Sequence, residues 1–131
     1  MSDRNDGLDI AIIGMAGKFP GAENIDEFWE LLKNGVEAVT FFTDEELLES
    51  GVDPQLLKDP NYIKSRAIIK DEDKFDAQFF DFFPREVEMM DPQHRLFLET
   101  AYNALEEAGY DPDRFDGLIG LFGGVSLNTY L

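Results

Sequence analysis

Two short apolar runs, one near each end of the chain, limit what this sequence can fold into. The first, residues 8–13, reads LDIAII between Gly7 and Gly14, and the second, residues 118–125, reads LIGLFGGV. Glycine-closed apolar stretches of this length have the pattern of strands covered on both faces, which need neighbours beside them and helices above and below. In the second run Gly120, Gly123 and Gly124 leave room for another backbone to come close. Helical signals lie between the runs, so the order strand, helices, strand implies an α/β layer with a right-handed crossover. Two strands are too few to finish such a layer, and the chain reads as part of a larger domain.

The helices are marked by their ends. Asn24 stands where a cap belongs, Ile25, Phe28, Trp29 and Leu32 follow at the spacing of one buried face, and Gly35 closes the segment. At 43–46 the string TDEE offers a hydroxyl and, three residues on, a carboxylate that satisfy each other's backbone donors; it opens a short helix that Gly51 stops. The stretch from Val52 to Phe75 is interrupted by Pro54 and Pro60 and reads as a surface excursion, with a short strand at 67–69 and a charged turn at 71–74. Phe75, Phe79, Phe80, Phe82 and Phe83 crowd the next stretch and require burial or a partner. Pro84 then suits the first turn of another short helix. The strongest helix signal runs from Asp91, a cap followed by Pro92 in the first turn, through Leu98, Ala101, Tyr102, Leu105 and Ala108 to a stop at Gly109.

Charge removes several classes of function. The chain carries 28 acidic residues against 11 basic ones, a net charge of -17, so a phosphate-binding surface for nucleic acid is excluded. It has 44% hydrophobic residues, 12 of them Phe, enough apolar material to fold, unlike an acidic disordered tail. No apolar run is long enough to span a bilayer, and residues 1–7 are polar rather than a signal-type leader, which points to a cytoplasmic protein outside the membrane. The absence of cysteine agrees with that compartment.

Residue chemistry alone declares no activity. The glycines at 14, 17 and 21 with Lys18 fit neither phosphate-loop spacing, and Asp71, Asp73 and Asp76 miss the glycine that a calcium loop of the EF-hand type requires. No metal site is expected: there is no cysteine and the single histidine, His94, falls in the first turn of the Asp91 helix, where a structural role is the simpler reading. No serine stands in a nucleophile-elbow context, and carboxylates this abundant make a chance glycosidase pair easy to find at any separation.

Three strings taken in order carry more information: DIAIIGMAGKFPGA at 9–22, FDAQFF at 75–80 and PREVEMMDPQHRLFLE at 84–99. With EEAGYDP at 106–112 and the glycine run ending at Ser126, the chain from about Leu8 to Leu131 resembles the start of the β-ketoacyl synthase (ketosynthase) domain of modular polyketide synthases. Residues 1–7 would be a leader or inter-domain linker, and 8–131 the N-terminal portion of the domain. Two departures are visible: Gly17-Lys18 stands where the family commonly has Cys-Arg, and Phe82-Phe83 replaces a smaller step before the Pro-Arg-Glu string.

The resemblance implies the first part of a thiolase-type layered α/β fold, homodimeric when complete. It implies an acyltransferase that condenses acyl chains held on acyl carrier protein, with loss of carbon dioxide. The cargo would arrive on the carrier's 4'-phosphopantetheine arm, and this segment itself would bind no cofactor. In the family a later cysteine is the nucleophile and two later histidines assist, all beyond Leu131, so no catalytic residue is assigned here and the segment alone is expected to be inactive. Val125, Ser126 and Asn128 match a position that approaches the acyl pocket in related synthases. Because carrier proteins are themselves acidic, a dock would need local cations; Lys64, Arg66, Lys70 and Arg85 are the candidates. The alternative reading is a non-catalytic docking or assembly module that keeps the ketosynthase start.

Overall fold

The computed structural model describes residues 9–126, which form two compact units. One is the contiguous stretch Lys18–Glu72; the other joins the residues before Lys18 to those from Asp73 onward.

In the contiguous unit, helix α1 (Ile25–Asn34) begins where Asn24, in extended conformation, accepts a hydrogen bond from the Glu27 N–H at 2.9 Å. It ends at Gly35, whose φ of 62° is the left-handed geometry that favours glycine. The inward positions are Ile25, Phe28 and Leu31, all half-buried, and the Phe28 ring stacks on Phe19 with centroids 4.0 Å apart. Trp29 and Leu32, expected on the buried face, are more than half exposed, because nothing within this unit covers that side of the helix. Strand β1 (Val39–Phe41) pairs antiparallel with β2 (Ser65–Ala67) in the register Val39 to Ala67, Thr40 to Arg66 and Phe41 to Ser65. β2 therefore starts two residues earlier than the apolar 67–69 stretch indicated, and β1 carried no sequence signal that singled it out. Helix α2 (Asp44–Glu49) between them opens on the expected reciprocal cap: the Glu46 N–H donates to Thr43 Oγ1 at 3.2 Å and the Thr43 N–H to Glu46 Oε2 at 2.8 Å. The turn expected at 71–74 lies at 70–73 and includes Asp71 at a φ of 57°.

In the split unit, helix α3 (Pro84–Glu88) starts on Pro84, and Glu86 reaches back to accept the Phe83 N–H at 2.9 Å. The long helix α4 (Pro92–Glu107) is capped by Asp91, and Gly109 follows it at a φ of 72°. The phenylalanine cluster packs ring on ring: Phe75 stacks on Phe80 at 4.9 Å, and Phe79 meets Tyr102 of α4 edge-on at 4.8 Å. Phe79 and Phe83 stay largely exposed, so the cluster is only partly buried.

The two terminal runs are the main departure. Among the described residues the β1–β2 ribbon is the one sheet, and neither 9–13 nor 118–125 pairs into a strand. Both lie against α4: a β-carbon on Gly14 would sit 2.6 Å from the Ala104 carbonyl oxygen, and one on Gly123 2.6 Å from the Phe97 ring. Their other sides are open, with Ile10 94% and Phe122 95% exposed. A strand meant to be covered on both faces has no ladder partner here, because sheet hydrogen bonds come from other strands and the described residues supply none to these runs.

Candidate functional site

The glycine run is laid along α4 in a definite register. Gly123 packs on Phe97, and three residues on, the Ser126 N–H donates to Gln93 Oε1 at 2.8 Å. Phe97 and Gln93 are one helical turn apart, so the run descends toward the N-terminus of α4 as the chain advances. Gln93 is in turn held by the cap. Asp91 is buried; its Oδ1 accepts the Gln93 backbone N–H at 2.8 Å, and its Oδ2 accepts from Gln93 Nε2 at 3.3 Å. Near the other end of the helix, Ile13, Gly14, Ala104, Ala108, Leu118 and Leu121 line an apolar cavity of about 430 Å³.

Of the residues singled out in the sequence, Val125 and Ser126 lie at the end of this run, both exposed, while Asn128 falls outside the described residues. His94 is exposed in the first turn of α4. The three candidate cations of the contiguous unit do not share one site. Lys64 and Arg66 line a cavity of about 480 Å³ in the contiguous unit, together with Phe42, Leu47, Tyr62 and Ile68. Lys70 belongs to a different cavity of that unit, about 310 Å³, and Arg85 is on α3 in the split unit. Lys64 is paired with Asp44, and Lys70 with Glu23 at 2.8 Å. The hydrogen bond and charge of Glu23, with Asp71 also close, raise the Lys70 pKa above the ordinary lysine value. Arg66 and Arg85 make no ion pair among the described residues.

Gln93 was not marked as functional in the sequence. The Asp-Pro pair before it marked a helix start, but its partner Ser126 is 33 residues downstream, and no local pattern reports such a contact.

The family model described as beta-ketoacyl synthase, N-terminal domain, matches residues 8–131. The chain belongs to the β-ketoacyl synthase family. It is 47% identical over 122 residues to a phenolphthiocerol/phthiocerol polyketide synthase protein of Mycobacterium tuberculosis (strain CDC 1551 / Oshkosh), covering 93% of this chain and 8% of that protein. To polyketide synthase PksM of Bacillus subtilis (strain 168) it is 46% identical, covering 95% of this chain and 3% of the relative. Among solved structures it is similar to ketosynthase twelve from the bacillaene polyketide synthase in Bacillus amyloliquefaciens, with a TM-score of 0.67 and 44% identity, covering 73% of this chain and 17% of that one. The chain thus spans less than a tenth of the polyketide synthases it matches. Its fold is the opening part of the thiolase-type ketosynthase fold, as the ordered motifs implied.

For a ketosynthase segment the two open runs have a simple physical meaning. They are apolar on sides that nothing in 9–126 covers, and the solved relative has about five-sixths of its chain outside the aligned part.

Proposed function

We propose that this segment works as the first part of a complete ketosynthase in a cytoplasmic polyketide synthase, which joins acyl chains by decarboxylative Claisen condensation. The observation that carries the reading is the family-model match over 8–131, with 47% identity over 122 residues to a polyketide synthase and 44% to a solved ketosynthase, joined to two apolar runs that lie on α4 and are open on their other sides. In this reading an acyl chain passes from its carrier thioester to a cysteine of the enzyme. A carboxylated extender on a second carrier loses carbon dioxide, and the resulting carbanion attacks the acyl thioester and displaces the cysteine thiolate. The chain has no cysteine and a single histidine, so the nucleophile and the carbonyl-binding histidines come from elsewhere in the protein, and the part played here is architectural. Residues 8–131 are the N-terminal portion of the domain, 1–7 a leader or linker, and the whole domain a homodimer.

The partners follow from the same chemistry. Acyl and extender groups arrive on the 4'-phosphopantetheine arm of acyl carrier protein, with Val125, Ser126 and Asn128 at the edge of the acyl pocket. A carrier that is acidic meets a segment at -17, so contact needs cations that are not already neutralised. Lys64 and Lys70 have acidic partners; Arg66 and Arg85 are left for the carrier.

The test is acyl-enzyme formation. The complete ketosynthase carrying this segment, incubated with an acyl thioester of a carrier protein, is expected to gain the acyl mass on one peptide outside 1–131 and to release carbon dioxide when a carboxylated extender is added. A protein that stays unacylated beside a functional carrier, or one that contains no cysteine, overturns the proposal in favour of a docking module.

A further inference from the structure

The geometry points to Gln93 as a positioning residue that sets the acyl-pocket edge at Val125–Ser126, through a relay from the buried helix cap Asp91 to the Ser126 backbone. The inference rests on the proposed ketosynthase reading and adds to it the residue that fixes the pocket edge.

The relay is fixed by donor and acceptor chemistry. An ionised aspartate accepts hydrogen bonds and donates none, so the Gln93 group facing Asp91 Oδ2 at 3.3 Å has to be the amide NH2. The carbonyl Oε1 then points away and meets the Ser126 N–H at 2.8 Å, a donor that needs an acceptor. Flipping the amide would set oxygen against carboxylate and NH2 against N–H, two repulsions in place of two bonds. Asp91 is itself held in place: it is buried, and its Oδ1 accepts the N–H of Gln93. The one carboxylate therefore caps α4 and orients the side chain that holds the downstream loop.

The place of this contact gives it leverage. Gly123 is pressed on Phe97 and has no room to move inward, whereas Gly124 has nothing within 4 Å of where a β-carbon would be. The run touches Phe97 at Gly123, passes Gly124, which nothing crowds, and is caught again at Ser126 by Gln93. Without that catch, Val125 and Ser126 hang from a glycine hinge, since neither is buried by other contacts. The expected effect is on which acyl chain fits, not on the chemistry of the reacting atoms.

The test uses the complete ketosynthase with Gln93→Met, which keeps the length and removes both polar ends, and Gln93→Glu, which keeps an acceptor but sets a second carboxylate beside Asp91. A third variant, Asp91→Asn with Gln93→Glu, restores a donor facing an acceptor in reversed polarity and keeps an oxygen for the helix cap. The readout is kcat and KM for short and long acyl thioesters. Each single variant is expected to shift the ratio of kcat/KM between the two substrates by roughly fivefold, the net worth of about one hydrogen bond, mainly through KM. The double variant is expected to return the ratio to within about twofold, and a purely structural defect would lower both substrates alike. A ratio unchanged in Gln93→Met overturns the inference. Should that variant not fold, a double variant no closer to wild type than Gln93→Glu alone overturns it equally. Wild-type enzyme without any acyl transfer is a different outcome, and it refutes the ketosynthase reading itself.

Discussion

Replacing Gly14 by alanine tests whether the first apolar run is seated on α4 as described. The position is half-buried and has no left-handed backbone requirement, so alanine is conformationally acceptable and only space opposes it. A β-carbon there would stand 2.6 Å from the Ala104 carbonyl oxygen, 2.9 Å from the Ala108 nitrogen and 3.0 Å from the Ala108 β-carbon. Two of these three are helix backbone, which cannot swing aside as a side chain can. Forcing one carbon into a packed contact costs about 1–3 kcal/mol, and the stiffer unfolded chain offsets about 0.4–1 kcal/mol of that. The net loss is then roughly 1–2 kcal/mol, which speeds amide exchange in α4 by about 5- to 30-fold. Hydrogen exchange with mass spectrometry on peptides covering 97–108, in the complete ketosynthase, measures it. Gly124→Ala, with open space around it, is the control and should change the same peptides less than about twofold. Ala108→Gly combined with Gly14→Ala removes one of the three close contacts and should restore only part of the protection. Unchanged exchange in Gly14→Ala would show that the first run does not lie on α4 in this register.

Other expectations follow from the open apolar faces and from the ion pairs. The 1–131 segment expressed alone should self-associate through its uncovered runs, and Ile10→Glu with Phe122→Glu should reduce the sedimentation coefficient toward that of a monomer; a sharp two-state monomer without those changes contradicts the assignment of these faces. Glu23→Gln should lower the Lys70 pKa back toward the ordinary lysine value, seen as an earlier chemical-shift titration of its ε-methylene. Because the folded value is raised, any stability the pair contributes is fully present below the ordinary lysine value and is lost as pH climbs through the folded one. A Lys70 titration that Glu23→Gln leaves in place would refute the pairing.

The sequence made local features legible and distant ones obscure. Asn24 with Gly35, Thr43 with Glu46, and Asp91 with Pro92 and Gly109 each mark a helix end through groups within one turn, and all three helices begin and end accordingly. Strand placement depends on partners far along the chain. β2 lies at 65–67 because Val39, Thr40 and Phe41 pair with it there, a register that the apolar residues at 67–69 do not encode. The terminal runs have strand composition but lack strand hydrogen bonds among the described residues, because a ladder needs a partner strand that composition does not supply. On α1 the pattern identified Ile25 and Phe28 correctly and misjudged Trp29 and Leu32, since periodicity defines an apolar stripe and not which edge of it is covered. The motifs singled out Ser126, whereas its hydrogen bond to Gln93, 33 residues upstream, becomes visible only once the chain has folded back.

The division into one contiguous unit and one split unit has a consequence for synthesis. Every residue of Lys18–Glu72 has been translated before the first residue of the return, Asp73, so the contacts inside that unit wait for nothing downstream. The split unit has to wait, because Gly14 meets Ala104 only after about 90 intervening residues have been made. A chain that long costs roughly 4 kcal/mol of closure entropy if it is flexible, and about 0.8 kcal/mol less if the residues of Lys18–Glu72 are already compact. A compact contiguous unit thus shortens the search for the later contact by about fourfold while forming none of it. Because that closure cost grows only with the logarithm of loop length, an insertion of a few residues inside 18–72 raises it by no more than about 0.1–0.2 kcal/mol.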